Sequence, residues 1–187
     1  MRNAFVLFFA VFCLTAKAQD SAVKFPNTDA SPVDIAYFPL NAAKVKKDDP
    51  TKPIVKVVYS RPAKKGREIF GGLEPFDKVW RVGANESTEI RFYKDVTIGD
   101  KKIKAGIYSL FAIPNKDKWS FIINSDVDKW GAYNYDQTKD IVRVEVPTKT
   151  LPTTVEALAI TFAKTDTGAN LVLGWDNTLV ELPIAFK

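Results

Sequence analysis

Seven side chains carry most of the chemistry this chain could offer: Arg61, Arg67, Arg81, Asn85, Glu86, Trp130 and Tyr133. Three of them fall in one ten-residue stretch, VWRVGANEST, residues Val79 to Thr88, around Gly83. An arginine, an amide and a carboxylate so close together can fix a polar ligand by charge-assisted hydrogen bonds. They can equally form a buried polar plug, since a lone buried charge is costly and must find a partner. Trp130 and Tyr133 flank Gly131 in KWGAYNYD, where aromatic faces beside polar groups could stack on a sugar ring or simply close the core.

Strand parity orients two of the charges. In NESTEIRF, Glu86 shares parity with Thr88, Ile90 and Phe92, the apolar set. In IVKVVYSR, Arg61 shares parity with Val55, Val57 and Tyr59. A regular strand would therefore turn both charges inward at strand ends. They would meet each other as a structural pair, or meet a ligand with Arg81 and Asn85 at the same corner.

What is missing narrows the chemistry. The chain has no histidine and one cysteine, Cys13. Histidine bases, Ser-His-Asp triads and histidine zinc sites are excluded. Catalysis would rest on carboxylates, Lys, Tyr, Ser or Thr, with Glu86 as acid or base and Asp126 or Asp136 as second carboxylate in a glycosidase-like site. Any metal would be a hard cation. NSDVD, Asn124 to Asp128, with Asp136 beyond it, lacks the glycine and terminal glutamate of a calcium loop, so a solvated turn is the better reading and no metal or cofactor is expected. KKGR, Lys64 to Arg67, is a short basic run that reads as a solvated loop. Asn85-Glu86-Ser87 fits a glycosylation sequon, which carries meaning only in an organism that glycosylates such sites.

The first residues read as an address. Arg2 precedes the apolar run AFVLFFAVFCL, and Ala16-Lys17-Ala18 supplies the small residues of a cleavage site. This is a secretory signal peptide over residues 1–18, too short to span a bilayer. Phe12 is too large for a lipobox before Cys13. Loss of Arg2 and Lys17 lowers the net charge from +5 to +3. That mild excess points to no nucleic acid, and, with no second apolar run of membrane length, no membrane insertion is expected after signal removal. The mature protein is expected to be exported, periplasmic or extracellular.

The elements that must position these residues are strands. Period-two alternation recurs in IVKVVYSR, STEIRFYKD, IVRVEV and VEALAITF. GIYSLFAIP is apolar on both parities and reads as a central strand, with WSFIIN as its hairpin partner across NKDK. NLVLGW and LVELPIAF read as a final hairpin around DNT, Asp176 to Thr178. The one helical candidate is a turn or two in LEPFDKVW opened by Pro75. The fold class is all-β: a single-domain antiparallel β-sandwich, or a flattened barrel, over residues 53–187. Residues 19–52 form an extension that could add an edge strand through DIAYFPL, and residues 62–78 a long loop.

YSRP, KGREIFGGLEPFDKVWRVGANEST, AGIYSLFAIP and WGAYNYD stand in an order and spacing that resemble the bacterial family catalogued as domain of unknown function 2911, over about residues 32–186. The resemblance implies an exported β-rich protein and supplies no substrate, cofactor or catalytic residue. The expectation is a polar small molecule, such as a glycan, bound at the strand-end corner. A carboxylate hydrolase and a structural envelope module are the alternatives.

Overall fold

In a computed structural model of the chain, residues 23–186 are described. The leader expected over residues 1–18 lies outside them. Nine strands follow in sequence: β1 (Val33–Phe38), β2 (Val55–Ser60), β3 (Thr88–Phe92), β4 (Val96–Ile98), β5 (Lys101–Ile103), β6 (Gly106–Ile113), β7 (Lys118–Asn124), β8 (Asp140–Lys164) and β9 (Gly168–Ala185). All neighbours are antiparallel, in the order β1-β2-β3-β6-β7-β8-β9-β4-β5. The sheet folds over on itself without closing into a barrel, so its two halves share one core, as in a sandwich.

The fold-over is built into β8. Asp140–Pro147 pairs with β7, and Thr148–Lys164 pairs with β9. Pro147 and Pro152 cannot donate to a ladder, and the register with β9 shifts between Thr150 and Val155 and again between Val155 and Ala159. These bulges bend the strand and let it leave one layer for the other. The DNT segment is the opposite number of that bend. Asp176 takes φ +55° opposite Val155, and β9 runs through it unbroken. The expected terminal hairpin is thus one bent strand. Its polar residues mark a kink over the β8 bulge rather than a reversal.

Parity works where strands are regular. Val55, Val57 and Tyr59 of β2 and Thr88, Ile90 and Phe92 of β3 are buried. The β6–β7 hairpin forms across the expected turn, pairing Ile113 with Ser120. β6 is covered on both sides, Phe111 being capped from outside by Tyr135 with ring centroids 5.2 Å apart. β1 arises within the N-terminal stretch, from the residues DIAYF, and forms the edge beside β2.

LEPFDKVW holds no helix. Gly71 N–H donates to Glu74 O, Leu73 N–H to Glu68 O and Glu74 N–H to Ile69 O, and Asp77 takes φ +60°. These bonds wind the segment into tight turns that carry Phe70 into the core. There Phe70 meets Trp80, Trp119 and Trp175 edge-on, at centroid distances of 5.7, 4.6 and 5.9 Å. Trp80 and Trp175 stack at 6.0 Å. Aromatic pairs in such geometries contribute about 0.5–1.5 kcal/mol each beyond burial. This cluster is what the long loop packs against. The one helical turn among the described residues is the 3-10 turn Gln137–Lys139.

Candidate binding site

The corner is made by a turn, not by the end of a regular strand. Thr88 N–H donates to Arg81 O, and Thr88 Oγ1 donates to Val82 O at 2.8 Å. Val82 and Asn85 hold φ +57° and +61°. A β-branched residue in the left-handed region is a genuine outlier. Full burial of Val82 and the Thr88 hydrogen bond hold it there. Gly83 lies against β2, where an added Cβ would meet Ser60 O at 3.0 Å. The turn therefore needs glycine for close approach.

This geometry overturns the inward reading of Glu86. Glu86 lies before β3 begins, next to left-handed Asn85 and in an isolated bridge to Trp130, and it is exposed. It does not meet Arg61. Arg61 Nε donates to Leu158 O at 2.8 Å and its Nη1 pairs with Asp34 Oδ2 at 2.9 Å. Arg61 is thus committed to the seam between β2 and the free edge of β8, where Tyr59 also reaches Ile160. Arg67, exposed, folds back on its own loop, donating to Lys64 O and Ala63 O at 2.9 and 2.6 Å.

Glu86 faces Trp130 instead. The two form an isolated antiparallel bridge flanked by Ser87 N–H to Lys129 O and Gly131 N–H to Asn85 O, both 2.8 Å. That pattern is a non-hydrogen-bonded pair, in which Cα atoms stand about 4.5 Å apart and side chains are closest, on one face. Trp130 is 62% exposed and Tyr133 78%. The two stretches singled out in sequence, around Asn85-Glu86 and around Trp130, are thereby brought together. Arg81, half-buried, closes the back of this loop. Its Nε donates to Gly83 O at 3.3 Å, and its Nη1 would lie 2.9 Å from a Cβ added to Gly131. At the corner, then, Asn85, Glu86, Arg81, Trp130 and Tyr133 gather, while Arg61 and Arg67 are engaged elsewhere.

The aromatic loop is pinned from its far end. Tyr135 Oη donates to Asp140 Oδ2 at 2.6 Å, and Arg143 donates to both. Burial first, and then the Asp140 bond and charge, push the Tyr135 phenol up to about 12. Asn124 Nδ2 donates to Asp136 O and Asp140 Oδ1, and its Oδ1 accepts from Asp126 N–H. Asp136 Oδ1 accepts from Thr138 N–H and Oγ1 to cap the 3-10 turn, and Asp126 pairs with Lys129 at 3.2 Å. Asp126 and Asp136, considered as partners for Glu86, are committed to shaping this loop.

Beside Glu86 lies a groove of about 240 Å³ on the outer face of β1, β2, β3 and β6. Val33, Val58 and Tyr108 give it apolar walls, and Ser60, Ser87, Glu86, Glu89 and Asp128 its polar lining. Ser109 Oγ donates to Asp126 O at 2.7 Å, so Ser87 must be the donor in the 3.2 Å Ser87–Ser109 contact. The Ser60 hydroxyl, on a residue only 4% exposed, has no hydrogen-bond partner among the described residues. Glu89 pairs with Lys56 at 3.3 Å. Glu86 and Asp128 have no ion-pair partner among the described residues. Ser60 was legible as an outward β2 residue, but nothing in the sequence placed it beside Glu86.

A second carboxyl was not foreseen. Glu74, half-buried on the long loop, is pushed up to about 7 by burial, and the nearby Arg81, Trp80 indole and Arg67 draw it down only in part. It follows Gly71-Gly72-Leu73 in a segment without periodicity, which gave no signal of direction.

A family model described as protein of unknown function (DUF2911) matches residues 41–184, covering every strand but β1 and the last residue of β9. No curated protein and no solved structure matches the chain. The quoted motifs, the β-rich architecture and this match agree: the chain belongs to the family of proteins of unknown function DUF2911.

Proposed function

We propose that this is an exported binding protein that takes a hydroxyl-rich ligand of glycan type in the groove beside Glu86, with Trp130 as its stacking face. The Glu86–Trp130 pair carries the reading: an exposed indole directly opposite an unpaired carboxylate. A sugar ring offers an apolar face to the indole and hydroxyl donors to the carboxylate. The groove is smaller than the roughly 300–1,000 Å³ of a drug-sized pocket. It suits a single ring, with the rest of a chain lying along the surface toward Tyr133. The leader pattern supports export.

Trp130 makes the test simple. Trp80, Trp119 and Trp175 are buried, so acrylamide quenching of the protein's fluorescence reports chiefly on Trp130. An oligosaccharide panel should contain members that shield it, with Trp130→Ala losing the affinity measured by calorimetry. A panel with no binder, over neutral, acidic and amino oligosaccharides, would sink the proposal.

Glu86, Glu89 and Asp128 sharing one groove favour a second reading, hydrolysis of the bound glycan. A pair of carboxylates across the scissile bond is what such chemistry requires. Release of reducing ends that Glu86→Gln abolishes while binding persists would support it. Bound glycan recovered intact would exclude it.

A further inference from the structure

We infer that the groove selects a ligand bearing a free ammonium group, an amino sugar with an unsubstituted amine. This rests on the glycan reading and names the chemical class within it. The first observation is charge. Three carboxylates line the groove and no cationic side chain does. The lysines nearest in sequence are occupied, Lys56 with Glu89 at 3.3 Å and Lys129 with Asp126 at 3.2 Å. Glu86 and Asp128, both in the lining, have no ion-pair partner among the described residues; one comes from the turn before β3 and one from the loop that carries Trp130.

The second observation is independent of charge. Ser60 is almost fully buried, yet its hydroxyl has no partner among the described residues and is not among the fully enclosed side-chain atoms that lack one. It stands on the outward parity of β2 with Val58, and both line the groove. The hydroxyl is not enclosed, and its unused hydrogen-bonding capacity is open to the groove that the residue lines. Ser87 spends its proton on Ser109 and leaves lone pairs. An ammonium group has three donors and no acceptor. It would satisfy Glu86 and Asp128 as counter-ions and Ser60 or Ser87 as a neutral acceptor, while its ring lies toward Trp130. A carboxylate or phosphate on the ligand would meet repulsion from every charged wall.

The experiment compares glucosamine oligomers with N-acetylglucosamine oligomers of equal length, bound to the mature protein in the same buffer. The free amine should bind about tenfold or more tightly, in keeping with the strength of a charge-assisted hydrogen bond. Added salt should erode that advantage. Glu86→Gln and Asp128→Asn should each bring the ratio of the two affinities close to one, whatever they do to the acetylated oligomer alone. Both side chains are exposed, so folding is checked by an unchanged thermal midpoint. Equal affinity for the two oligomers, or a preference that survives both substitutions, overturns the inference and leaves the glycan reading standing. Binding of neither oligomer overturns the inference, and the full panel then decides the glycan reading by itself.

Discussion

The Tyr59 hydroxyl accepts the Ile160 N–H at 2.8 Å, joining β2 to a strand that is not its neighbour in the sheet. It lies 3.4 Å from Ile160 O as well, and two residues along Arg61 Nε holds Leu158 O. Leu158 N–H is taken by Pro62 O. Side chains and one loop carbonyl thus do at the free edge of β8 what a tenth strand would do in a closed barrel. They satisfy backbone groups that would otherwise be buried unpaired. Tyr59→Phe removes only the oxygen. It should destabilise the protein by about 1–3 kcal/mol, the cost of leaving a buried donor unmet. Urea unfolding with an unchanged slope would show it, and a loss well under that range would mean that water takes over the bond.

Arg61 belongs to the same seam. Arg61→Ala should lower stability by about 1–2 kcal/mol, chiefly by orphaning Leu158 O. Asp34→Asn should cost much less, because the Arg61–Asp34 pair is partly solvated and pairs of that kind contribute little. Neither change should alter binding at Glu86 and Trp130. A large loss of affinity in Arg61→Ala with the fold intact would restore Arg61 to the site.

These residues show what the sequence could and could not tell. Period two located β2, β3 and both halves of β8 and turned Tyr59 inward, because burial of one face enforces that period. It could not name Ile160 as the partner, since fold-over of a sheet is a property of distant bulges. Counting failed at Glu86 for a local reason: the regular strand begins only at Thr88, and Glu86 pairs instead with Trp130 from a distant loop. Counting failed at DNT for the reverse reason. Three polar residues resemble a turn, but here they ride over the bulge in β8. Composition, by contrast, needs no geometry, and the lack of histidine narrowed the chemistry before any strand was placed.

Glu74 gives a pH dependence of definite sign. Burial raises its folded-state value from the ordinary 4.5 to about 7, so between those limits the folded protein binds more protons than the unfolded chain. Stability should therefore fall as pH rises through that window, and level off above it. Glu74→Gln removes the titrating group. It should leave the thermal midpoint near that of the parent at about pH 4 and raise it above the parent at about pH 8. After allowance for partial solvation the gain should be on the order of 1–2 kcal/mol. A midpoint difference that does not vary with pH would show that Glu74 ionises normally in the fold.

Gly131 tests whether the aromatic loop serves binding. It sits at φ +67° at the centre of the loop, and an added Cβ would meet Arg81 Nη1 and the Tyr133 ring, each at 2.9 Å. Its N–H also holds Asn85 O, one of the two bonds that set Glu86 against Trp130. Gly131→Ala must strain the backbone and push Arg81 or Tyr133 aside. The loop is anchored separately by Tyr135, Asp140 and Arg143, so the damage should stay local. A stability loss of about 1–2 kcal/mol is expected. Affinity for the oligosaccharide should drop about tenfold or more, because the indole no longer stands opposite the carboxylate. Acrylamide should quench Trp130 to a different extent in the free variant, which reports the displacement without any ligand. If quenching changes and affinity does not, Trp130 is not the stacking face.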